Sequence, residues 1–229
     1  FSLPFAILEA LTMRRLRPFI ALGFFPPAIS PSPIAPPQDF QRWQLLIAQF
    51  LAGLAGDARF GPESIQTWRF EVWNEPNEGR FWSGSFEQYL GLYRATSEAV
   101  RETGLTIRLG GPAMAYKPES EAEDGPETMR RFLEFLRDEP DIQCDFISYH
   151  RKGTVNRSAP DPGRLWATSA EVERLVREIV PDRLGNMEII NNEADEKIGF
   201  ESPHPPRMDA FGASWLSTLM SMSTGRNRH

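Results

Sequence analysis

Short, nearly uninterrupted apolar runs alternate along this chain with longer stretches whose apolar residues recur every three or four positions. The runs at 18–24 (Pro-Phe-Ile-Ala-Leu-Gly-Phe), 68–74, 106–111, 145–149 and 187–192 predict strands. Apolar on both faces, they read as parallel strands covered on each side. The periodic stretches predict helices over 39–55, 86–102, 127–137, 169–180 and 209–222, with the tail of another over 5–16. Val172, Leu175, Val176 and Ile179 show the stripe most clearly, at i, i+3, i+4 and i+7. Start signals agree: Ser85-x-x-Gln88 and Thr168-x-x-Glu171 are capping boxes, and Pro126 sits just inside a helix start.

Five repeated βα units imply an α/β fold, either an open doubly wound sheet or a (β/α) barrel. Loop lengths favour the barrel. Helix-to-strand links are short, whereas the links after strands are long and rich in special residues. Residues 26–37 alone hold six prolines, and 112–126, 150–168 and 193–208 carry charges, aromatics and more prolines. Long loops at the carboxyl ends of strands build the active face of a barrel. An interdomain linker would also be Pro-rich, but the periodic pattern resumes unchanged on both sides of 26–37. A closed barrel takes eight strands and roughly 250 residues, and only five strands are legible. The expectation is a single domain over residues 1–229, an incomplete TIM-type (β/α)8 barrel truncated at both ends, its first and last strands having unpaired edges.

The 229 residues are 41% hydrophobic and 24% charged, ordinary for one globular domain. A net charge of −6 and a pI near 5.3 leave no electrostatic footprint for nucleic acid. No apolar run approaches the roughly 20 residues that span a membrane. Three histidines and one cysteine argue against a zinc cluster, and neither His-Glu-x-x-His nor paired Cys-x-x-Cys occurs. Gly110-Gly111 lacks the spacing of a dinucleotide or phosphate loop and reads as a tight strand exit. No metal and no cofactor is implied. The lone Cys144 cannot form an internal disulfide. Because the chain opens on Phe1, a leader peptide cannot be looked for, and compartment and oligomeric state stay open.

Two strand ends carry the chemistry. Phe70-Glu71-Val72-Trp73-Asn74-Glu75-Pro76-Asn77 and Ile189-Ile190-Asn191-Asn192-Glu193-Ala194-Asp195 each finish an apolar run on an Asn-Glu pair. A carboxylate in such a place is costly to desolvate, so it is paired or put to chemical use. Two of them match the carboxylate pair of a glycoside hydrolase. Glu71, Trp73 and Glu75 share a face of a regular strand, the lumen side of a barrel. Beside Trp73 and Trp82, Glu75 has the apolar surroundings that favour a protonated acid/base. Asn74 suits a sugar 2-hydroxyl. Glu193 lies at the end of the third strand after that of Glu75, so the two face each other across the mouth. A separation of about 5–5.5 Å would define a retaining double displacement with Glu193 as nucleophile. Buried Glu71 is expected to pair with Arg108 on the next strand.

The chain resembles glycoside hydrolase family 39, whose members include α-L-iduronidases and β-xylosidases on a (β/α)8 barrel. Residues 17–24 resemble the family's third strand, Phe70 to Asn77 its fourth with the acid/base, and Leu109-Gly110-Gly111-Pro112 its fifth. Ile147 to Gly153 resemble the sixth, and Ile190 to Phe200 the seventh with the nucleophile. His150-Arg151-Lys152-Gly153 and Asn192-Glu193-Ala194-Asp195-x-x-x-Gly199-Phe200 look like the iduronidase branch, while Pro18 to Pro26 reads more like a xylosidase. The resemblance implies that Lys152 contacts a uronate carboxylate, His150 the sugar, and the Gly199 backbone the substrate. The implied partner is a glycoside or oligosaccharide.

Lesser candidates are His204 and Arg207 at the rim and Trp166 as a stacking platform or loop anchor. Asn156-Arg157-Ser158 matches a glycosylation sequon by pattern alone. Two readings of other classes stand beside the enzyme. One is a carbohydrate-binding barrel remnant without turnover. The other is a flavodoxin-like binding protein, hard to reconcile with carboxylates at two strand ends.

Overall fold

The computed structural model describes residues 2–116, 125–153, 161–195 and 210–223. In chain order the elements are α1 (Ser2–Met13), β1 (Phe19–Leu22), α2 (Phe40–Gly56), α3 (Gly61–Ile65), β2 (Arg69–Val72), α4 (Phe86–Thr103) and β3 (Arg108–Tyr116). There follow α5 (Gly125–Asp138), β4 (Phe146–Arg151), α6 (Gly163–Ile179), a 3₁₀ turn (Pro181–Asn186), β5 (Glu188–Asn191) and α7 (Ala210–Ser223). The five strands form one sheet in the order β1-β2-β3-β4-β5, every pair parallel. No described helix is long and apolar enough to cross a membrane.

Contacts between strands that are not neighbours show that the sheet curls. The rings of Phe19 on β1 and Phe146 on β4 lie 5.3 Å apart. Arg69 on β2 reaches Glu188 on β5 at 2.6 Å, and Arg108 on β3 meets the same carboxylate at 2.6 Å. Both arginines sit at the amino ends of their strands, so this ion cluster closes the bottom of the concave face. The expected pairing of Glu71 with Arg108 is therefore replaced: Arg108 is level with Arg69, below Glu71, and Glu188 is the carboxylate within its reach. Glu71 finds partners higher up, described below.

Helix starts follow the local chemistry. Ser85 and Gln88 form the reciprocal capping box at α4, and Asp39 caps α2 by accepting from Gln41 N–H at 2.8 Å. The outer layer locks to itself through Trp43, whose indole donates to Thr96 at 2.9 Å. Thr168 behaves differently from the expectation. The helix begins at Gly163, six residues earlier than a Thr168 cap allows, and Thr168 lies inside α6 on its buried face with Leu165 and Val172. Asp161 instead accepts from Gly163 N–H at 2.8 Å, starting the helix early enough to bury Leu165.

Gly110-Gly111 is not a strand exit, because β3 continues to Tyr116. A Cβ on Gly110 would lie 2.4 Å from the Phe146 carbonyl oxygen and 2.5 Å from its ring, so the glycine lets β3 and β4 pair closely. The β3–β4 register shifts between Gly111 and Met114, at Pro112, which has no N–H for the ladder.

Candidate active site

Glu75 stands just past the carboxyl end of β2, in a turn and not on the strand. Trp73 (φ 73) and Glu75 (φ 45) adopt left-handed backbone, as does Ala113 (φ 54). Such residues cost of order 1–3 kcal/mol each and persist only where their surroundings hold them. Here Tyr89 donates from its hydroxyl to Val72 O at 3.1 Å, and the Trp73 indole to Phe81 O at 3.1 Å. Glu75 N–H donates to Ala113 O at 2.9 Å. The left-handed turn also breaks strand alternation, so Trp73 does not share the lumen face with Glu71. It packs outward against Phe25, Trp43 and Trp82, with ring centroids 4.6, 6.5 and 5.1 Å away.

Asn77 pins the same turn. Its amide accepts from Ala115 N–H at 3.0 Å and donates to Ala115 O at 2.9 Å, copying a strand partner for β3 where β2 has ended. Sequence reasoning missed this residue, although its place in Glu75-Pro76-Asn77 marks a turn whose side chain can stand in for backbone.

β4 and the segment after β5 bring the remaining groups. The buried His150 ring has Nδ1 2.8 Å from Glu75 Oε1 and 3.7 Å from Glu193 Oε2. Lys152 Nζ lies 2.8 Å from Glu193 Oε2. One carboxylate oxygen of Glu75, one of Glu193 and a His150 ring nitrogen all lie within 4.8 Å of one another. Glu75 is enclosed, at 7% exposure, whereas the Glu193 side chain is 40% exposed toward the mouth. Arg80, on the exposed rim, reaches Glu75 Oε2 at 3.9 Å and Glu78 Oε2 at 3.8 Å. Asn74 is half-buried in the turn beside Glu75.

Of the predicted site, Glu75, Glu193, His150 and Lys152 thus converge, and Asn74 adjoins them. Gly199, His204, Arg207 and the Asn156-Arg157-Ser158 triplet lie outside the described residues. Trp166 lies in α6. The two carboxylates and the imidazole have the composition of a divalent-cation site, but the Lys152 ammonium already supplies positive charge at Glu193.

Directly below is Glu71, 3% exposed, whose oxygens accept from Asn192 Nδ2 at 3.0 and 3.2 Å. Burial pushes its carboxyl up from 4.5 to about 7, against a hydrogen bond from Ser148 that acts the other way. A carboxyl raised by folding stabilises the fold fully below its unfolded value, and that stability is lost as pH rises through the folded one. Between pH 4.5 and about 7 the fold should therefore lose about 3 kcal/mol through this residue. Glu71→Gln should flatten that part of the curve in urea titrations at pH 4.5 and 7.5. Equal pH slopes in both proteins would refute it.

A curled parallel β/α sheet with two glutamates past the carboxyl ends of strands three apart defines the class: a (β/α)8 glycoside hydrolase barrel, here as an arc of five strands. The chain belongs to glycosyl hydrolases family 39, whose family model matches residues 3–226. It is 32% identical over 154 residues to a β-xylosidase of Geobacillus stearothermophilus, covering 63% of this chain and 29% of that one. To the α-L-iduronidase of Homo sapiens it is 29% identical over 189 residues, covering 80% of this chain and 28% of the relative. A solved structure described as the bacterial orthologue of human α-L-iduronidase superposes with a TM-score of 0.78 at 21% identity, covering 96% of this chain and 36% of that chain. That likeness is one of fold. The chain spans less than a third of the length of either curated relative.

Proposed function

We propose that this protein is a retaining glycosidase that cleaves O-glycosidic bonds by double displacement, with Glu75 as acid/base and Glu193 as nucleophile. The observation that carries this is the close approach of the two carboxylates, within 4.8 Å oxygen to oxygen. Retention requires carboxyl groups about 5–5.5 Å apart, whereas inversion needs room for a water between them, about 6.5–9.5 Å. The surroundings suit the roles. Enclosed Glu75 exchanges its proton beside His150, and Glu193 attacks from the open side beside an ammonium. Asn74 is assigned to the sugar 2-hydroxyl, and His150 and the Gly199 backbone to further sugar contacts.

For the sugar we favour a uronate, as in the iduronidase relative, because Lys152 brings a cation to the mouth. The alternative is a xyloside, favoured by the higher identity to the xylosidase relative. Lys152 also holds Glu193, so Lys152→Ala should slow the full-length protein on any substrate. A uronide should lose a further 2–4 kcal/mol, roughly, through its unpaired carboxylate. The measurement is the ratio of kcat/KM for an aryl uronide over an aryl xyloside in wild type and Lys152→Ala. The common loss cancels in that ratio, which should fall at least about thirtyfold. A constant ratio would make Lys152 a partner of Glu193 alone and favour the xyloside. Sugar binding with no turnover of any aryl glycoside would instead indicate a barrel that binds without catalysis.

A further inference from the structure

Glu75 turns its two oxygens to different neighbours. Oε1 lies 2.8 Å from His150 Nδ1, the nitrogen that is also 3.7 Å from Glu193. Oε2 is the oxygen that Arg80 approaches, at 3.9 Å on the exposed rim. In a double displacement the acid/base must touch the glycosidic oxygen, so the leaving group lies on the Glu75 side, away from the nucleophile. Two loops with no part in the proposed chemistry adjoin Glu75 there. One is the Pro-rich segment 26–37 after β1, and the other is the turn 78–84 after β2.

The two loops make one wall. Phe25 N–H donates to Pro33 O at 3.0 Å, folding the first loop back, and Ser83 N–H of the second donates to Ile34 O at 3.0 Å. A Cβ on Gly84 would lie 2.7 Å from Pro36 Cγ, so the loops pack with no room between them. Prolines fix φ and carry no N–H, which keeps such a loop rigid with few donors to satisfy. Trp73 anchors the surface from behind: its indole donates to Phe81 O at 3.1 Å, and its ring lies 5.2 Å from that of Phe24. Phe24 is 45% exposed on this wall, with the Phe81 ring 6.5 Å away. The other strongly exposed apolar side chains among the described residues lie on α1, α2 and α7 or at the amino end of β1. Arg80 lies over Phe81, its guanidinium 4.8 Å from the ring centre. Its carboxylate neighbours, Glu75 at 3.9 Å and Glu78 at 3.8 Å, are beyond hydrogen-bond length, so its fork of donors is spent on neither.

We propose that this wall is the leaving-group subsite and takes a neutral sugar ring, its C–H face on Phe24 and its hydroxyls on Arg80. The proposal rests on the reading of Glu75 as acid/base. A pyranose presents apolar faces and a polar edge, which an exposed aromatic ring beside an arginine fork matches. A simple alkyl leaving group would use the ring and leave the fork idle. The charge balance selects a neutral ring. Glu78 stands against Arg80 whether or not Glu75 carries its proton, so the wall offers no net positive charge. An acidic leaving sugar would instead come to rest beside carboxylates. Because the loops already hold the wall in place, little ordering is needed when the ring binds.

The test uses the full-length protein and three substrates that share one glycosyl group. One is the glycosyl fluoride, which has no leaving ring; the others are disaccharides whose leaving ring is xylose or glucuronic acid. The readout is kcat/KM for each disaccharide divided by that for the fluoride, so any general damage to the enzyme cancels. Phe24→Ala should lower the xylose ratio by about tenfold, and Phe24→Trp, which keeps a ring, should restore it. Arg80→Gln should lower the same ratio by about tenfold. Wild type should cleave the glucuronic acid disaccharide no faster than the xylose one. An unchanged ratio in Phe24→Ala and Arg80→Gln, with wild type active on all three substrates, would sink the subsite and leave the catalytic pair standing. A wild-type preference for the acidic ring that Arg80→Gln removes would overturn the neutral assignment. Should wild type turn over none of the three, the catalytic reading fails and the subsite with it.

Discussion

Glu193→Ala is expected to abolish turnover of every glycoside by the full-length protein, lowering kcat by about 10⁵-fold or more. Removing a nucleophile removes the covalent route itself, and losses of this size, about 7 kcal/mol of barrier, are what such deletions cost. The loss should not depend on the leaving group, since any leaving group departs in the displacement that the missing nucleophile would have made. Binding should survive, because Glu193 is 40% exposed at the mouth and shares its charge with Lys152, which remains. The check is kcat on a series of aryl glycosides together with the affinity for a non-hydrolysable analogue. A residual rate that rises steeply with leaving-group acidity would assign the nucleophile elsewhere.

Glu75→Ala should behave quite differently. With a dinitrophenyl leaving group the first step needs no proton, so kcat/KM should stay within about tenfold of wild type. With a phenyl leaving group it should fall by roughly 10²–10⁴-fold, the usual worth of a positioned general acid. The second step loses its base on all substrates, so kcat falls and the glycosyl-enzyme accumulates as a burst. Azide, which needs no base, should then restore kcat. If both alanine variants respond alike on the dinitrophenyl substrate, the division of roles is wrong.

Much of this is legible in the sequence because parallel βα units write their own pattern. Apolar runs such as Phe146 to Tyr149 can only be strands with both faces covered, and the five of them pair in chain order. The convergence of Glu75 and Glu193 follows from that order, and His150 and Lys152 follow from their position at the end of β4. What the sequence hides is anything that departs from regular geometry. Alternation puts Trp73 in the lumen, but the left-handed turn sends it outward to Phe25 and Trp43. Gly110-Gly111 resembles a strand exit because glycine usually ends strands, whereas here it makes room for Phe146. The sequence pairs Glu71 with Arg108 on the next strand, yet Arg108 lies at the wrong height and pairs with Glu188.

The arrangement assigns the pair's two members unequal surroundings. Glu75 is enclosed, touched by His150 and tied by its own N–H to β3, which suits a group that must present a proton in one place. Glu193 lies beside Lys152 with its side chain 40% exposed, which suits the proposed role of nucleophile. On the proposed reading Lys152 serves both Glu193, its partner at 2.8 Å, and a substrate carboxylate, and the uronide-to-xyloside ratio separates those two duties.

The most direct test of the central claim is the configuration of the glycosyl azide each variant forms, read by proton NMR of the anomeric centre. In Glu75→Ala, azide attacks the covalent intermediate, so two displacements give a product with the substrate's configuration. In Glu193→Ala, azide fills the nucleophile's place and a single displacement gives the opposite configuration. Retained product from the first and inverted product from the second is the predicted result. The same configuration from both, or inversion from Glu75→Ala, would contradict Glu193 as nucleophile and Glu75 as acid/base.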